Sequence, residues 1–509
     1  MKIKSVTLHR FRRYSTPITV EIDDLLVLVG RNDIGKSSIL EALDIFFNDG
    51  KGCVKLDKDD LNKDCLASGQ DCIEIGVEFS DLPASIVIDS SHQTSLRDEH
   101  LLTATGTLRI IKKYQGAGKE RVYISAMHPI NPECKDLLQK KQSELRAILT
   151  NNAIDCADKT KNAVMRAAIW SAQERLEFAD EYEIEVAKID AKNIWDQVKK
   201  YMPLYTLFQA DRKNSDSDNE VQDPMRIAVK EILADPVIRG SLDSVAETVK
   251  KRLDAVAATT LLKLQEMNPT IASSLDPQLP DLVSLKWIDV FKSVSITGDD
   301  EIPINKRGSG VKRLVLISFF RAESERRQLE AQLPDVIYAI EEPETSQHPG
   351  HQRALIDALI NLSNAQNTQV LLTTHSPEIV KKLQFQNLLL VTDDCPEGVQ
   401  QVDEQDLPYP SLNEVNYAAF GEASYEYHNE LYGYLDAEGH LNSFKDGKPL
   451  QAYVQLRPDG TTFARQLSLT EYIRHRIHHP ENSHNQPFSN QDLVNSIALM
   501  RAFISNGFQ

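Results

Sequence analysis

The sequence predicts an α/β fold built on a parallel sheet, with an all-α insertion and a small α+β C-terminal domain. Three observations lead there. An apolar run, Asp24-Leu-Leu-Val-Leu-Val-Gly30, stops at a glycine and passes into the helical spacing of Ser37–Phe47. Two further apolar runs, at 335–340 and 370–374, end in acids and in a histidine, as buried parallel strands do at a functional edge. Between the first run and these two, the chain from Pro132 to about Pro280 turns to helical periodicity rich in Lys, Glu, Gln and Ala.

Residues 2–30 alternate polar and apolar positions and read as two or three strands. In the helix that follows, Ile39, Leu40, Leu43, Phe46 and Phe47 fall on one side. From Ile73 to about Ala126, runs such as GTLRIIKKY and ERVYISA read as an antiparallel sheet. The helical stretch breaks at Met202-Pro203 and in the polar loop Lys213–Asp223. It reads either as a surface excursion or as an arm for dimerisation or partner docking. Strand-like segments return at Leu282–Ile296. In the last hundred residues, KDGK and RPDG flank two strands within His440–Leu467, and helices follow at Leu469–His479 and Gln491–Ile504. Pro480 stops the first helix, and Ser489-Asn-Gln-Asp492 opens the second as a capping box. The expected units are therefore 1–130, 131–281, 282–405 and 406–509.

A length of 509 residues, with 41% hydrophobic and 26% charged residues, is that of a folded chain of two or three domains. The N-terminus MKIKSVTLHRFRRYS has no apolar stretch behind its charges, and no run of about 18 apolar residues occurs, so a cytoplasmic protein away from membranes is expected. Cys53, Cys65, Cys72, Cys134, Cys156 and Cys395 lack metal-type spacing and read as reduced thiols. A net charge of −18 opposes general coating of nucleic acid, so any such contact requires a local basic patch. Arg474–His479 is such a patch, basic throughout except for Ile477.

Gly30-Arg31-Asn32-Asp33-Ile34-Gly35-Lys36-Ser37 matches GxxxxGK[ST] between a strand and a helix. Its glycines turn backbone N–H groups inward around phosphates, and the helix start adds partial positive charge next to Ser38. Lys36 is expected to reach the β and γ phosphates of ATP, and Ser37 to hold Mg²⁺. The run Ile340-Glu341-Glu342-Pro-Glu344 then supplies Glu341 for Mg²⁺ through water and Glu342 as general base. His375, at the end of the next apolar run, is placed to sense the γ-phosphate; a satisfied core histidine is the alternative. Lys306-Arg-Gly308-Ser309-Gly310-Val-Lys312-Arg313 leads into the apolar Leu314–Phe320 and reads as a second anion-binding helix start. Since one helix start already serves the phosphates, Ser309 and Gly310 are expected to reach the ATP of a second copy, giving a head-to-tail dimer.

The phrases GRNDIGKSSILEAL, IEEPETSQHP and LLTTHSPEIV resemble the phosphate loop, the acidic strand with its D-loop and the switch-histidine strand of the OLD-family and related SMC-like ATPases of bacterial phage defence. The resemblance covers about residues 1–400. It implies an ABC/SMC-like P-loop ATPase head that binds and hydrolyses ATP, dimerises and controls an effector after a phage trigger. It also implies that Phe11, Arg13 and Tyr14 border the nucleotide. OLD nucleases continue into a Toprim domain. Here Leu388-Leu-Leu-Val-Thr-Asp393-Asp394 lacks the glutamate-glycine pair of that domain, so a Toprim nuclease in this chain is not expected.

The tail instead offers Arg474 and His479, an R-x4-H spacing that resembles HEPN ribonucleases and, joined to the ATPase, resembles phage-triggered anticodon nucleases. The implied chemistry is metal-independent RNA cleavage, with histidine as acid or base and arginine on the phosphorane. Three other readings stay open: a metal held by His475 and His479, a basic face that grips nucleic acid or an acidic partner, and cations that merely stabilise a helix end. A regulatory ATPase that holds a separately encoded nuclease or toxin, or a DNA-sensing repair ATPase, is the competing function.

Overall fold

The computed structural model describes residues 1–209 apart from 32, 51, 90, 91, 117, 119 and 188, then 224–248, 251, 318–320, 322–327, 334–392 apart from 345–348, 398–401, and 411–508 apart from 458 and 459. Strands β1 (Lys2–His9), β2 (Ile18–Glu21) and β3 (Leu25–Val29) lead into helix α1 (Lys36–Asn48). A short helix α2 (Lys63–Ala67) precedes β4 (Cys72–Ser80), the small hairpin β5 (Ile86–Asp89) and β6 (His92–Thr94), and the long strands β7 (Leu108–Gln115) and β8 (Glu120–Pro129). Then come α3 (Gln142–Asn151), α4 (Asn162–Ser171), β9 (Phe178–Glu185), α5 (Ile189–Tyr201), β10 (Leu204–Phe208) and α6 (Pro224–Ala234). The second half supplies β11 (Val336–Glu341), α7 (Pro349–Ser363), β12 (Thr368–Thr374), α8 (Pro377–Val380), β13 (Leu388–Val391) and β14 (Val399–Gln401). The C-terminal unit holds α9 (Leu412–Phe420), α10 (Tyr425–Ala437), α11 (Leu441–Lys445), β15 (Leu450–Leu456), β16 (Thr462–Ser468), α12 (Leu469–His478) and α13 (Asn490–Ser505).

Two six-stranded sheets form the head. The order β2-β1-β4-β7-β8-β9 is antiparallel, and β10-β11-β12-β3-β13-β14 is parallel up to its last strand. The parallel strands are buried on both faces, which explains their continuous apolar text. Alternation sorts their side chains: Leu26, Leu28, Ile337, Ala339 and Leu371 join α1 and the antiparallel sheet in one core. Val27, Val29, Tyr338, Ile340, Val370 and Leu372 join α7 in another. Helix α1 is the filling of this sandwich, with Ile39, Leu40, Leu43 and Phe46 fully enclosed.

The expectation of an all-helical segment over 131–281 needs correction at two places. Phe178–Glu185 is the edge strand β9 of the antiparallel sheet, and Leu204–Phe208 is β10, which pairs in parallel with Val336–Ile340 of β11. The first was hidden because an edge strand with one solvated face carries Asp and Glu like a helix surface. The second follows Pro203 and spans only Leu204–Phe208, too short to show a period. The head therefore continues through residue 208, beyond the boundary drawn at 130. Leu282–Ile296 lies outside the described residues.

Helix α6 and the helical residues 322–327 are bound to the sheet by a buried polar knot. The Tyr338 hydroxyl donates to Glu231 at 2.6 Å, and Arg327 donates to Glu323 at 2.6 Å while standing 3.3 Å from Glu231. Tyr427, Leu431, Phe444, Ile473, Ile497 and Met500 form a separate core in the C-terminal unit, with the β15–β16 hairpin and the Ser489 capping box as the sequence anticipates, and a further capping box of Ser468 and Glu471 opens α12. Among the described residues no cysteine forms a disulfide, and no helix is long and apolar enough to cross a membrane.

Candidate functional site

Strand β3 ends at Gly30, whose φ of +151° and close neighbour exclude a side chain: a Cβ there would sit 2.5 Å from the Val391 carbonyl oxygen. The loop then turns through Asp33 at φ 60° to Gly35 at φ +93°, the N-cap of α1. A Cβ on Gly35 would lie 2.4 Å from Arg13 Cδ and 2.9 Å from the Tyr14 hydroxyl. Lys36 is 4% exposed, and its ammonium donates to the carbonyls of Gly30 at 2.9 Å and Arg31 at 2.7 Å. Burial pulls its pKa below the usual value, opposed by the negative fields of Glu342, Glu344 and Asp33. Ser37 follows at the helix start, half-buried, and Ser38 is buried beside it. Ile34 packs against the larger core.

The N-terminal segment supports this loop from outside. Arg13 donates to the Ile34 carbonyl and Tyr14 to that of Gly35 at 3.1 Å. Phe11, by contrast, is fully buried in the core between Tyr14 and Leu61, so it does not border a nucleotide. Arg12 escaped the sequence reading; it pairs with Glu41 of α1 and with Asp60 at 2.9 Å, fixing the helix that carries Lys36.

The parallel order β11-β12-β3 sets the remaining groups on the same edge of the sheet. Glu341 ends β11 opposite Thr373 of β12. Glu342 stands just past the strand at φ 41°, a left-handed conformation that costs a non-glycine residue free energy and that the surrounding contacts must hold. Its N–H is held by the Thr373 carbonyl at 3.1 Å and hydroxyl at 3.2 Å. His375 is 39% exposed, so it is not a core histidine, and its Nδ1 lies 3.5 Å from Glu342 and 3.4 Å from Glu344. Glu344 was present in the acidic run but had no role assigned; the Thr373-Thr374 hydroxyls ahead of His375 were the available signal. Burial pushes its carboxyl above the usual range, against the His375 N–H, its own backbone and the Thr374 hydroxyl that favour the charged form.

Asn32, Ser309 and Gly310 lie outside the described residues. In the tail, Arg474 does not meet His479. Its guanidinium covers the Tyr432 ring at 4.0 Å, facing α10, while His479 caps the end of α12 and turns to Glu481 at 3.3 Å. Five residues of helix separate the two by about 140°, so one face cannot hold both. His475 and His479 do stack, with ring centres 6.4 Å apart, but among the described residues no group of three ligating side chains forms a metal site.

Solved structures similar to this chain include the SMC head domain from Thermotoga maritima, at 11% identity and a TM-score of 0.34, covering 79% of this chain and 100% of that one. Another is the Smc head domain with an extended coiled coil bound to the C-terminal domain of ScpA, derived from Pyrococcus furiosus, at 12% identity and a TM-score of 0.37, covering 78% and 95%. No curated protein is significantly similar to the chain. The phosphate loop, the acidic strand and His375 all lie within residues 1–380, the span that matches the AAA ATPase domain, and the chain belongs to that family and is an ATPase.

Proposed function

We propose that two copies of this chain clamp ATP between them in an ABC-type arrangement, and that hydrolysis sets the state of an effector. One observation carries the reading: β3, β11 and β12 are neighbours in a parallel sheet and bring Lys36, Glu342 and His375 to one edge. The residues fit a nucleotide. The loop glycines leave no room for side chains, and a buried ammonium is held by nothing stronger than two carbonyls. Phosphate oxygens offer that ammonium a charged partner in place of neutral ones. Ser37 and Glu341 would hold Mg²⁺, whose charge offsets that of the β and γ phosphates. Glu342 orients the attacking water and accepts its proton, and His375 faces the γ-phosphate. Arg31, Asn32, Asp33, Ile34 and Ser38 complete the cradle, with Ser309 and Gly310 closing the site of the partner copy.

The motif resemblance supports defence against phage as the setting, with 411–508 as the output unit. A ribonuclease of Arg474 and His479 would have to be completed across two protomers, because the side chains diverge within one. Docking of a separately encoded nuclease or toxin needs no such completion, and the exposure of His478 and His479 favours it.

The test separates binding from turnover. Lys36→Ala should lose nucleotide binding, whereas Glu342→Gln should keep ATP and accumulate as a dimer by light scattering with turnover down by about 100-fold or more. Mixing Lys36→Ala with Ser309→Arg should restore one working composite site per mixed dimer. Undiminished turnover in Glu342→Gln, or verified heterodimers without activity, would overturn the reading.

A further inference from the structure

The turn Glu342-Pro343-Glu344 folds back from β11 onto the end of β12. Glu344 points inward from it, 4% exposed. Its Oε1 accepts the Thr374 hydroxyl and the His375 backbone N–H, both at 2.8 Å. The Thr374 hydroxyl oxygen in turn accepts the Ser376 N–H at 3.0 Å, so the carboxylate anchors the whole Thr374–Ser376 corner. The same Oε1 is 3.4 Å from His375 Nδ1, and Glu342 Oε2 is 3.5 Å from that nitrogen. Nδ1 is enclosed and makes no hydrogen bond among the described residues, although the side chain is 39% exposed, so the open part of the imidazole is the remainder, Nε2 included. Glu344 Oε2 is enclosed as well and has no partner among the described residues.

A carboxylate on one ring nitrogen decides which nitrogen carries the proton and fixes the plane of the ring. We propose that Glu344 is a positioning residue of the ATPase site: it holds the proton of His375 on Nδ1 and thereby keeps Nε2 turned to the open face. This rests on the reading of His375 as the group that faces the γ-phosphate. At 3.4 Å the two groups are adjacent without hydrogen-bond geometry, and catalytic hydrogen bonds are often long or poorly aligned until the substrate is bound. The division of labour between neighbouring acids follows from their placement. Glu342, half-buried on a left-handed backbone, keeps part of its carboxylate open to water, and Glu344, 4% exposed, orients the histidine.

The experiment pairs ¹⁵N spectra of the histidine side chains with steady-state kinetics on the full chain. In the wild type, the Nδ1 of His375 should show the shift of a protonated nitrogen. In Glu344→Gln the proton should redistribute toward Nε2, kcat should fall about 10- to 100-fold, and KM for ATP should stay within about twofold, since a lost hydrogen bond to a charged group is worth that much. In a His375→Ala background, Glu344→Gln should cost nothing further, because both changes remove one unit. A bare Nδ1 in the wild type, an unchanged spectrum in Glu344→Gln, or additive losses in the double variant would overturn the inference. The wild-type spectrum alone decides the tautomer if the Gln chain fails to fold. Undiminished kcat in His375→Ala would instead remove the histidine from the reaction, a failure of the wider reading that leaves the tautomer result standing.

Discussion

His428 makes the C-terminal unit sensitive to acid. The side chain is fully buried in α10, with Nε2 3.0 Å from the Ser496 hydroxyl, which itself donates to Thr470 at 2.8 Å. Because the Ser496 proton is spent on Thr470, the network assigns the histidine proton to Nε2. Nδ1 is left without a partner among the described residues, so a second proton there finds no acceptor among them. Burial, and secondarily the Arg474 guanidinium, lower the pKa from 6.5 to about 4. A base whose folded pKa is depressed contributes stability that is present above its unfolded pKa and lost as pH falls through the window from 6.5 to about 4. The full shift corresponds to about 3 kcal/mol, and about 2 kcal/mol of it disappears between pH 7 and pH 5. Hydrogen exchange of peptides from α10 and α13, corrected for the intrinsic rate, should therefore show protection falling by about 30-fold over that interval in the wild type. His428→Gln, which keeps a donor for Ser496 and cannot titrate, should lower stability at pH 7 but lose most of the pH dependence. An equal fall in both proteins, or a His428 titration near 6.5, would refute the reasoning.

The other expectations concern the loop and the tail. Gly35→Ala places a methyl 2.4 Å from Arg13 Cδ at φ +93°, which costs about 1–2 kcal/mol in backbone strain alone; it should lower the melting temperature by a few degrees yet abolish nucleotide retention, and normal ATP binding would contradict the geometry of the cradle. If Arg474 and His479 of paired protomers cut RNA, cleavage by a triggered, preassembled complex should survive EDTA and vanish in His479→Ala; intact ATPase activity with no cleavage under any trigger would leave the tail as a docking surface.

The parts of the head that were legible in the text are those where one strand or one loop dictates its own neighbours. Asp24–Gly30 is apolar without alternation because β3 lies between β12 and β13 with both faces covered, and that burial leaves only a short exit for the glycines. The carboxylates and His375 were legible for the same reason, since each closes an apolar strand. Roles that depend on contacts across the fold were not legible. Phe11 and Arg13 are two residues apart in the same segment, yet one is core and the other supports the phosphate loop, because Phe11 bridges to Leu61 while Arg13 reaches Ile34. The spacing of Arg474 and His479 suggested a pair, but helical geometry sends them to Tyr432 and Glu481.

The same distinction explains why the link between the phosphate loop and the C-terminal unit had no sequence signal. Helix α9 is rooted in the head: Val415 and Ala419 belong to the core beneath β12 and β13, and Asn416 donates to the Pro377 carbonyl at 3.5 Å, two residues past His375. Its left-handed cap, Gly421, lies against the Arg31 guanidinium, which stands 3.2 Å from where a Cβ would be. A cation at a helix C-terminus is favoured by the carbonyls exposed there. Arg31 therefore faces two places at once: its carbonyl accepts from the Lys36 ammonium, and its guanidinium lies beside the end of α9, so the phosphate loop and the first helix of the C-terminal unit are direct neighbours.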